Sequence, residues 1–322
     1  MKNKIKKITV ILFSACLVFF SACTKEKAEK PNVAVIVKAT DSDFWHSVKN
    51  GAEAAATEYN VSFTFEGPES EEDYETQNKL IKTAVERGAD AIVFSAIDCK
   101  KSTSALTEAV QAGVKIITID SAADFSKASL FIGTDNLEAG AEAAKEAVKA
   151  FSPGEKIFIG LVNYYKETDN GIKREEGFRK YIESIADAEI SASANTASNT
   201  ASASACAVSL LKEHPEINVL VGFNEWTTLG VGDAIEKLGL EGKVCGIGFD
   251  SNTVSIGMLE KGIMNGLIVQ NPFAIGYLGI EKAAELVSGG ETEGNNIYTS
   301  VFPVNKNNIF EKETQKLLFS FN

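Results

Sequence analysis

Short runs of apolar, β-branched residues alternate along the chain with stretches in which apolar positions recur at helical spacing. The runs predict strands at 32–38, 61–66, 90–96, 114–120, 129–134, 155–163, 217–223, 243–249 and 265–270. The periodic stretches predict helices at 43–59, 71–87, 101–112, 135–151, 170–184, 202–213, 225–238 and 272–288. Strands that alternate with helices form βαβ units, so we expect parallel sheets covered by helices on both faces.

The length of this α/β body favours two lobes over one, because it exceeds what a single hydrophobic core usually holds. No Pro- or Gly-rich linker divides it. We therefore expect two doubly wound parallel-sheet lobes joined by a hinge that the chain crosses several times. The expected N-terminal lobe is 32–134 plus 271–300, and the expected C-terminal lobe is 135–270 plus 301–322.

One segment departs from the alternation of strands and helices. The stretch "SASANTASNTASASACAVSL", residues 191–210, is low in complexity and has few large apolar side chains. Such a composition is compatible with disorder. We favour a polar loop followed by an amphipathic helix, because the second half is rich in alanine and precedes two leucines.

The first residues are typical of an export signal. Four lysines precede the apolar run 8–20, and small residues lead to Cys23. The motif "FSAC" ends at both Cys16 and Cys23 and resembles the site at which bacterial lipoproteins are cleaved and acylated. Cleavage before Cys23 leaves a polar N-terminus, so we expect a signal peptide at 1–22 and a lipidated tether at 23–31. An ordinary signal peptide with incidental cysteines is the alternative.

Charge and cysteine content narrow the class of partner. The formal net charge is −12, which excludes a basic footprint for nucleic acid. Three cysteines, Cys99, Cys206 and Cys245, remain after the first 23 residues. An odd number argues against a disulfide framework, and we interpret them as structural thiols. The expected partner is therefore a small molecule or a protein.

Polar side chains follow several of the predicted strands. In doubly wound sheets, ligands bind beyond the carboxyl ends of the strands. The polar and aromatic residues at these ends are Asp41 to Trp45, Glu66, Asp120, Asn224, Asp250 and Gln270.

Carboxylates, amides and aromatic rings are the groups that suit a polyhydroxylated ligand. Carboxylates accept hydrogen bonds from hydroxyls, amides donate and accept, and an aromatic face covers the C–H face of a sugar ring. Phe44 and Trp45 are thus candidate walls of a sugar site. The alternative is a hydrophobic staple that fixes the start of the first helix.

Eight motifs in order carry a resemblance to a known family: "DFWHSVKNGAEAAA", "ERGADAIVFSAID", "VKIITIDS", "FIGTDNLEAG", "KREEGF", "HPEINVLVGFNEWTTLG", "GIGFD" and "GLIVQNPFAIG". The chain resembles the periplasmic sugar-binding proteins of the ribose/galactose type, the type I periplasmic binding proteins, from residue 32 to about residue 308. The resemblance implies a sugar bound between two lobes that close upon it.

The resemblance also implies site residues. It implies Phe44 and Trp45 as stacking rings and Asp120, Arg174, Asn224, Asp250 and Gln270 as polar ligand contacts. Ser42 stands where the ribose-binding pattern has asparagine, Ser121 stands where it has arginine, and the second-lobe stacking phenylalanine is replaced within 196–200. These departures argue against ribose itself.

Each assignment has a structural alternative. Asp120, Asn224 and Asp250 are also typical helix caps. Arg174 could instead lie on a solvated helix face, and Gln270 could serve only as a hinge hydrogen-bond partner, although a ligand contact is the favoured interpretation of both. For Glu66, a ligand contact and a purely structural place are equally good interpretations.

Function follows from the resemblance as an expectation. We expect a sugar- or polyol-binding lipoprotein at the outer face of the cell membrane or in the periplasm, monomeric and without cofactor or metal, that serves the permease of an ABC transporter. One alternative is a ligand sensor that signals to a membrane sensor kinase. A carbohydrate-acting enzyme is a weaker alternative, because neither histidine lies in a nucleophile motif and no "GxSxG" occurs.

Overall fold

The computed structural model describes residues 30–291 and 296–319. The predicted signal peptide and Cys23 lie outside these residues. The described strands are β1 Asn32–Ile36, β2 Ser62–Glu66, β3 Ala91–Phe94, β4 Lys115–Ile119, β5 Phe131–Thr134, β6 Ile157–Asn163, β7 Ala188–Asn195, β8 Val219–Gly222, β9 Cys245–Phe249, β10 Gly266–Val269, β11 Ile297–Thr299 and β12 Phe302–Asn305. The described helices are α1 Asp43–Glu58, α2 Tyr74–Glu86, α3 Thr103–Gln111, α4 Asn136–Lys149, α5 Asp169–Ile182, α6 Thr200–Glu213, α7 Glu225–Leu238, α8 Thr253–Lys261, α9 Pro272–Val287 and α10 Lys312–Leu318.

The strands form two six-stranded sheets of matching topology. The first has the order β11-β5-β4-β3-β1-β2 and the second has the order β12-β10-β9-β8-β6-β7. All pairings are parallel except β10 with β12, which is antiparallel. Strand β4 therefore holds in the first sheet the place that β9 holds in the second. The predicted two-lobe α/β fold is confirmed.

Each lobe has its own core on both faces of its sheet. In the first lobe, one apolar cluster packs α1 and α9 on the sheet and a second includes side chains of α2 and α3. In the second lobe, α6, α7 and α8 contribute to one cluster, and α4 and α5 to the other. The central strands are buried on both faces, so they appear in the sequence as continuous apolar runs.

The chain passes between the sheets three times, after β5, after β10 and after β11. Helix α4 packs against β9 and β10 of the second sheet, whereas α9 packs against β3 and β4 of the first. We propose on this basis that residues 32–134 plus 271–300 form one lobe and residues 135–270 plus 301–322 the other.

The low-complexity segment is ordered, and its first part was predicted wrongly as a loop. Residues 191–195 belong to the edge strand β7, which pairs with β6 alone, and the helix that follows begins at Thr200. Asn199 caps this helix by accepting a hydrogen bond from Ser202 N at 2.8 Å. The three cysteines of the body are free thiols.

Candidate functional site

A cavity of about 280 Å³ lies between the two sheets, at the carboxyl ends of their strands. This volume includes space that is open to solvent. Eight of the nine predicted site residues line it: Ser42, Phe44, Trp45, Asp120, Arg174, Asn224, Asp250 and Gln270. Five further residues line it that the sequence did not single out: Lys38, Glu71, Asn170, Glu225 and Trp226.

Glu66 is the predicted residue that the structure places elsewhere. It ends β2, which is the edge strand of the first sheet, and its carboxylate accepts hydrogen bonds from Arg87 at 3.1 and 3.3 Å. An edge strand lies far from the middle of the cleft, so its carboxyl end does not reach the cavity. The assignment of Glu66 to the site is corrected accordingly.

The first-lobe wall is built around a buried lysine, Lys38, which follows β1. Its ammonium lies 3.4 Å from Asp120 Oδ2 and 3.5 Å from Glu71 Oε2, and its side chain is 4 % exposed. Burial alone would lower the pKa of Lys38, but the two carboxylates outweigh burial and raise this pKa above its ordinary value. Lys38 is therefore a permanent cation inside the cavity wall.

Asp120 is held by neighbours from both lobes. Ser95 Oγ donates to Asp120 Oδ2 at 2.9 Å, and Asn170 Nδ2 donates from the second lobe to Asp120 Oδ1 at 3.1 Å. These bonds, with the Lys38 ion pair, use most of the acceptor capacity of the carboxylate. Asp120 therefore holds the side chains around it in place as well as facing the cavity. It caps no helix, because α4 is capped by Asp135 and α3 starts after Ser102.

The aromatic residues Phe44 and Trp45 begin helix α1, which Ser42 caps by accepting from Trp45 N at 3.3 Å. The two rings meet edge to face with centroids 4.9 Å apart. Trp45 is 1 % exposed, and its Nε1 donates to Glu71 Oε1 at 2.9 Å. Phe44 is half-buried, so of the two rings it has the larger free surface.

Trp226 supplies an aromatic side chain from the second lobe. It stands at the second position of α7 and is half-buried at the cavity. The sequence did not single out Trp226, which lies on the helix that follows α6 along the chain.

Arg174 on α5 is 1 % exposed, which rules out a solvated helix face. Its Nε donates to Asn136 Oδ1 and its Nη1 to the carbonyl of Phe223, each at 2.8 Å. The guanidinium carbon lies 4.6 Å from the ring centroid of Phe249. Its Nη2 is buried and has no hydrogen-bond partner among the described residues. A buried donor without a partner is costly, so this nitrogen indicates where a ligand acceptor would sit.

Asp250 follows β9 as Asp120 follows β4, and the two occupy equivalent places in the two sheets. Gln270 Nε2 donates to Asp250 Oδ1 at 2.6 Å, and Gln270 Oε1 accepts from Thr134 Oγ1 at 2.8 Å. Burial raises the pKa of Asp250, although nearby Arg174 opposes that rise. Helix α8 is capped by Asn252 and not by Asp250.

The side-chain oxygen of Asn224 has a structural role, whereas its side-chain nitrogen is unpaired among the described residues. Its Oδ1 accepts from Thr227 N at 2.9 Å and completes a capping box for α7. Its amide nitrogen has no partner among the described residues and lines the cavity. Next to it, Glu225 accepts from Asn252 Nδ2 at 2.8 Å and from Phe44 N of the first lobe at 3.4 Å. Burial raises the pKa of Glu225 to about 7.

The sequence contained a pattern that could have identified three of the five cavity residues that were not predicted. Lys38 is the last residue of the first predicted strand, 32–38, and Glu225 and Trp226 directly follow Asn224, so the rule of strand ends covers all three. Glu71 lies in an acidic loop before α2, and Asn170 lies one helical turn before Arg174. Their place at the site depends on loop conformation, which periodicity does not predict.

The arrangement can bind a small polar molecule from all sides. It offers donors at Arg174, Lys38 and Asn224, a carboxylate oxygen at Asp250, and aromatic surface at Phe44 and Trp226. Among the described residues, no cluster of three or more histidine, cysteine, aspartate or glutamate side chains is arranged to hold a metal ion. Within the same residues, no helix has the length and apolarity to cross a membrane.

Known proteins resemble this chain over most of its length. A D-ribose/D-allose-binding protein of Pseudomonas aeruginosa is 25% identical over 296 residues, which cover 89% of this chain and 92% of that protein. The crystal structure of a carbohydrate transporter solute-binding protein from Agrobacterium radiobacter, in complex with D-arabinose, has a TM-score of 0.87 and 28% identity, with 91% of this chain and 100% of that chain covered. An ABC transporter solute-binding protein from Agrobacterium vitis with bound D-fucose has a TM-score of 0.85 and 30% identity, with 89% of this chain and 100% of that chain covered.

The family assignment follows from a match to a family model. Residues 33–291 match the periplasmic binding protein domain family, and they include all strands from β1 to β10 apart from Asn32, as well as every residue that lines the cavity. The chain therefore belongs to the periplasmic binding protein family.

Proposed function

We propose that this protein is an extracytoplasmic solute-binding protein that closes its two lobes around a monosaccharide or related polyol and delivers it to the permease of an ABC transporter. The observation that carries the proposal is the cavity between the lobes, in which buried carboxylates, amides and cations from both lobes converge beside aromatic rings. The proteins it resembles are named for D-ribose, D-allose, D-arabinose and D-fucose, which supports a small sugar as the ligand.

The proposed roles follow from the unpaired groups. Arg174 Nη2 donates to a sugar oxygen, because it is buried and otherwise lacks a partner. Asp250 accepts from sugar hydroxyls with the carboxylate oxygen that Gln270 leaves free. Phe44 and Trp226 cover the apolar faces of the sugar ring.

Three predicted site residues remain. Asn224 donates to the ligand from its amide nitrogen. Trp45 and Ser42 act indirectly, because they fix the position of Phe44 at the start of α1.

A thermal-shift screen tests the proposal. The panel contains D-ribose, D-arabinose, D-allose, D-fucose, D-tagatose and polyols, with the disaccharide maltose as a size control. A ligand at 100 times its Kd adds about 2.7 kcal/mol of stability, which should raise Tm by about 5 °C or more. Maltose should give no shift, because a second ring would have to enter the space in which side chains of the two lobes converge. The absence of a shift with every monosaccharide and polyol would contradict the proposal.

We further propose that the protein acts as a monomer anchored by a lipid on Cys23. The support is the resemblance of the sequence around Cys23 to a lipoprotein cleavage site and the polar tether that follows it. In cells given labelled palmitate, the wild-type chain should take up label and Cys23→Ala should not. Cys16→Ala is the matched control and should be labelled like the wild type. Unchanged labelling of Cys23→Ala would overturn the anchor while leaving the sugar-binding proposal intact.

A further inference from the structure

Two loops, one from each lobe, are joined directly by hydrogen bonds. One loop follows β3 in the first lobe and the other precedes α5 in the second. Thr168 Oγ1 donates to the carbonyl of Ile97 at 3.1 Å, and Tyr165 OH donates to Asp98 Oδ2 at 3.2 Å. A third bond, between backbone groups, runs from the amide N of Cys99 to the carbonyl of Glu167 at 3.1 Å.

The residues of these bonds do not line the ligand cavity. They lie beside it, because Thr168 immediately precedes α5, the helix that carries Asn170 and Arg174 into the cavity. Their hydrogen bonds therefore join lobe to lobe and do not depend on which ligand is bound.

Both loops are preorganised for this contact. Asp98 Oδ1 accepts from the backbone N of Lys100 and Lys101 at 2.9 and 3.0 Å, which leaves Oδ2 turned towards Tyr165. Thr168 occupies the cap position of α5, yet its side chain makes no capping bond within its own helix. Its hydroxyl instead donates to the carbonyl of Ile97 in the other lobe, and Thr168 as a whole is 1 % exposed.

We propose that residues 97–99 and 165–168 form a latch that stabilises the closed form and thereby raises the affinity for every ligand by the same factor. The inference rests on the proposed function in that its main readout is sugar affinity. When the lobes separate, the latch groups exchange their partners for water. Closure without the latch is less favourable, and the apparent Kd rises as the closed fraction falls.

The expected size of the effect follows from the number of bonds removed. Loss of one hydrogen bond between lobes changes the closure equilibrium by about threefold to tenfold. A ligand contact behaves differently, because its loss affects sugars that carry the contacted hydroxyl and spares those that lack it. The ratio of affinities for two sugars therefore separates a latch from a ligand contact.

Tyr165→Phe and Thr168→Val test the latch, since each removes a hydroxyl and keeps the shape of the side chain. The chain offers a matched control for each. Tyr59 OH donates to Glu281 within the first lobe at 2.6 Å, and Thr107 Oγ1 donates to the carbonyl of Thr103 within α3 at 2.7 Å. The controls are Tyr59→Phe and Thr107→Val. Each removes the same kind of bond without involving the other lobe.

Calorimetric Kd values are measured for the two tightest sugars among D-ribose, D-arabinose, D-allose, D-fucose and D-tagatose. Both Kd values should rise about threefold to tenfold in each latch variant, with their ratio unchanged, and the control variants should keep the wild-type Kd. Wild-type affinity in both latch variants together with unchanged hydrogen exchange, or a change confined to one sugar, would overturn the latch while leaving the proposed function in place.

Hydrogen exchange in the ligand-free protein gives a readout that needs no sugar. The amide of Cys99 is protected by its bond to the carbonyl of Glu167 of the other lobe. If the ligand-free protein is mostly closed, exchange at this amide should be faster in Tyr165→Phe and Thr168→Val than in the wild type and the two controls. If the ligand-free protein is mostly open, the change appears in Kd instead, so the two readouts together cover both cases.

Discussion

At the scale of single residues, the two aspartates that end β4 and β9 have an unusual backbone. Asp120 has φ of 54° and Asp250 has φ of 66°, and Asn60 is the remaining non-glycine residue with positive φ among the described residues. Aspartate tolerates this left-handed conformation better than most residues, because its short polar side chain bonds locally. Residues in such conformations concentrate at functional sites, which accords with two equivalent aspartates facing one cavity.

Asp250→Asn separates binding from folding. Asparagine also tolerates positive φ, and Asn252, not Asp250, caps α8, so the ligand-free Tm should barely move. The amide has one acceptor oxygen where the carboxylate has two, and it presents donors where sugar hydroxyls also donate. The loss of about 1.5–3 kcal/mol per charged bond should lower sugar affinity by roughly tenfold to a hundredfold.

The matched control is Asp73→Asn, which changes a capping aspartate of α2 outside the cavity. Asparagine caps a helix about as well as aspartate, so the control should bind sugar with wild-type affinity in the same calorimetric titrations. Wild-type affinity in Asp250→Asn would remove Asp250 from the proposed site.

Glu225 should make stability depend on pH. Burial raises its pKa from 4.5 to about 7 in the folded protein. Between these values the folded protein keeps a proton that the unfolded chain has lost, so stability falls as pH rises from about 4.5 to about 7 and then stays constant. Glu225→Gln removes this proton uptake. Its stability relative to the wild type should therefore increase with pH over this range, by up to about 3 kcal/mol.

Urea unfolding at pH values from 4.5 to 8 measures this difference. Glu53→Gln, on the exposed side of α1, is the control and should follow the wild type at every pH. A difference between Glu225→Gln and the wild type that is the same at pH 4.5 and pH 8 would show that Glu225 titrates as it does in the unfolded chain.

Cavity residues could be predicted from the sequence where they follow the carboxyl end of a strand, and they were missed where a loop or a distant contact brings them to the cavity. Residues at the carboxyl ends of central strands, such as Asp120 and Asp250, follow from the parallel topology. Glu66 obeys the same rule but ends an edge strand, and strand order is not readable from one sequence. Glu71 reaches the site by bonding Trp45 Nε1 across 26 positions of the chain, a contact that no local pattern indicates.

At the scale of elements, glycine pairs set the distance between helices in both lobes. In the first lobe, a Cβ on Gly51 or Gly276 would lie 2.0 or 1.9 Å from a carbonyl oxygen of the facing helix, which shows how closely α1 and α9 cross. In the second lobe, Gly140 and Gly177 let α4 and α5 approach in the same way, because a Cβ on either would lie 2.0 Å from a facing carbonyl oxygen. The carbonyl opposite Gly140 belongs to Arg174.

Gly140→Ala should therefore affect both stability and binding. The added methyl group meets backbone and forces α5 away from α4, at a cost of about 1–3 kcal/mol or more. The shift moves Arg174, so sugar affinity should fall by at least about tenfold.

The control is Gly257→Ala in α8, where a Cβ meets nothing within 4 Å. Alanine favours a helix over glycine by about 0.5–1 kcal/mol, so this variant should be slightly more stable and bind normally. Thermal unfolding and calorimetry measure both variants. Wild-type stability in Gly140→Ala would contradict the close crossing of the helices.

Strands that are buried on both faces could be predicted from the sequence, whereas the edge strands β7, β11 and β12 could not. Buried central strands such as β3, β8 and β9 were found, because sheets covered on both faces require continuous apolar runs. Strand β7 was missed, because an edge strand with one neighbour is stabilised by backbone hydrogen bonds and has no need of large apolar side chains. The short strands β11 and β12 were missed because their pairing partners lie far away in the chain.

At the scale of the whole molecule, the balance of charge in the cavity limits what can bind. The sequence suggested two aspartates opposed by Arg174 alone. The structure adds the cation of Lys38, and it adds Glu71 and Glu225 on the acidic side. With Asp120 and Asp250, the carboxylates still outnumber the two cations. An anion that entered this enclosed space would meet uncompensated negative charge in a medium of low dielectric constant.

Neutral sugars should therefore bind and their acidic counterparts should not. The test compares D-galactose with D-galacturonate, which differ little in size, and D-ribose with D-ribose 5-phosphate. Because one unpaired charge in a cavity costs several kcal/mol, any affinity for the neutral sugar should fall by on the order of a hundredfold or more in the acid. Calorimetry at pH 7.5 keeps both acids ionised, and a repeat at higher ionic strength controls for charge outside the cavity, which salt screens more than charge within it. Binding of the uronate or the phosphate as tight as that of the neutral sugar would mean that Lys38 and Arg174 together outweigh the carboxylates, which would reverse the proposed charge preference of the site.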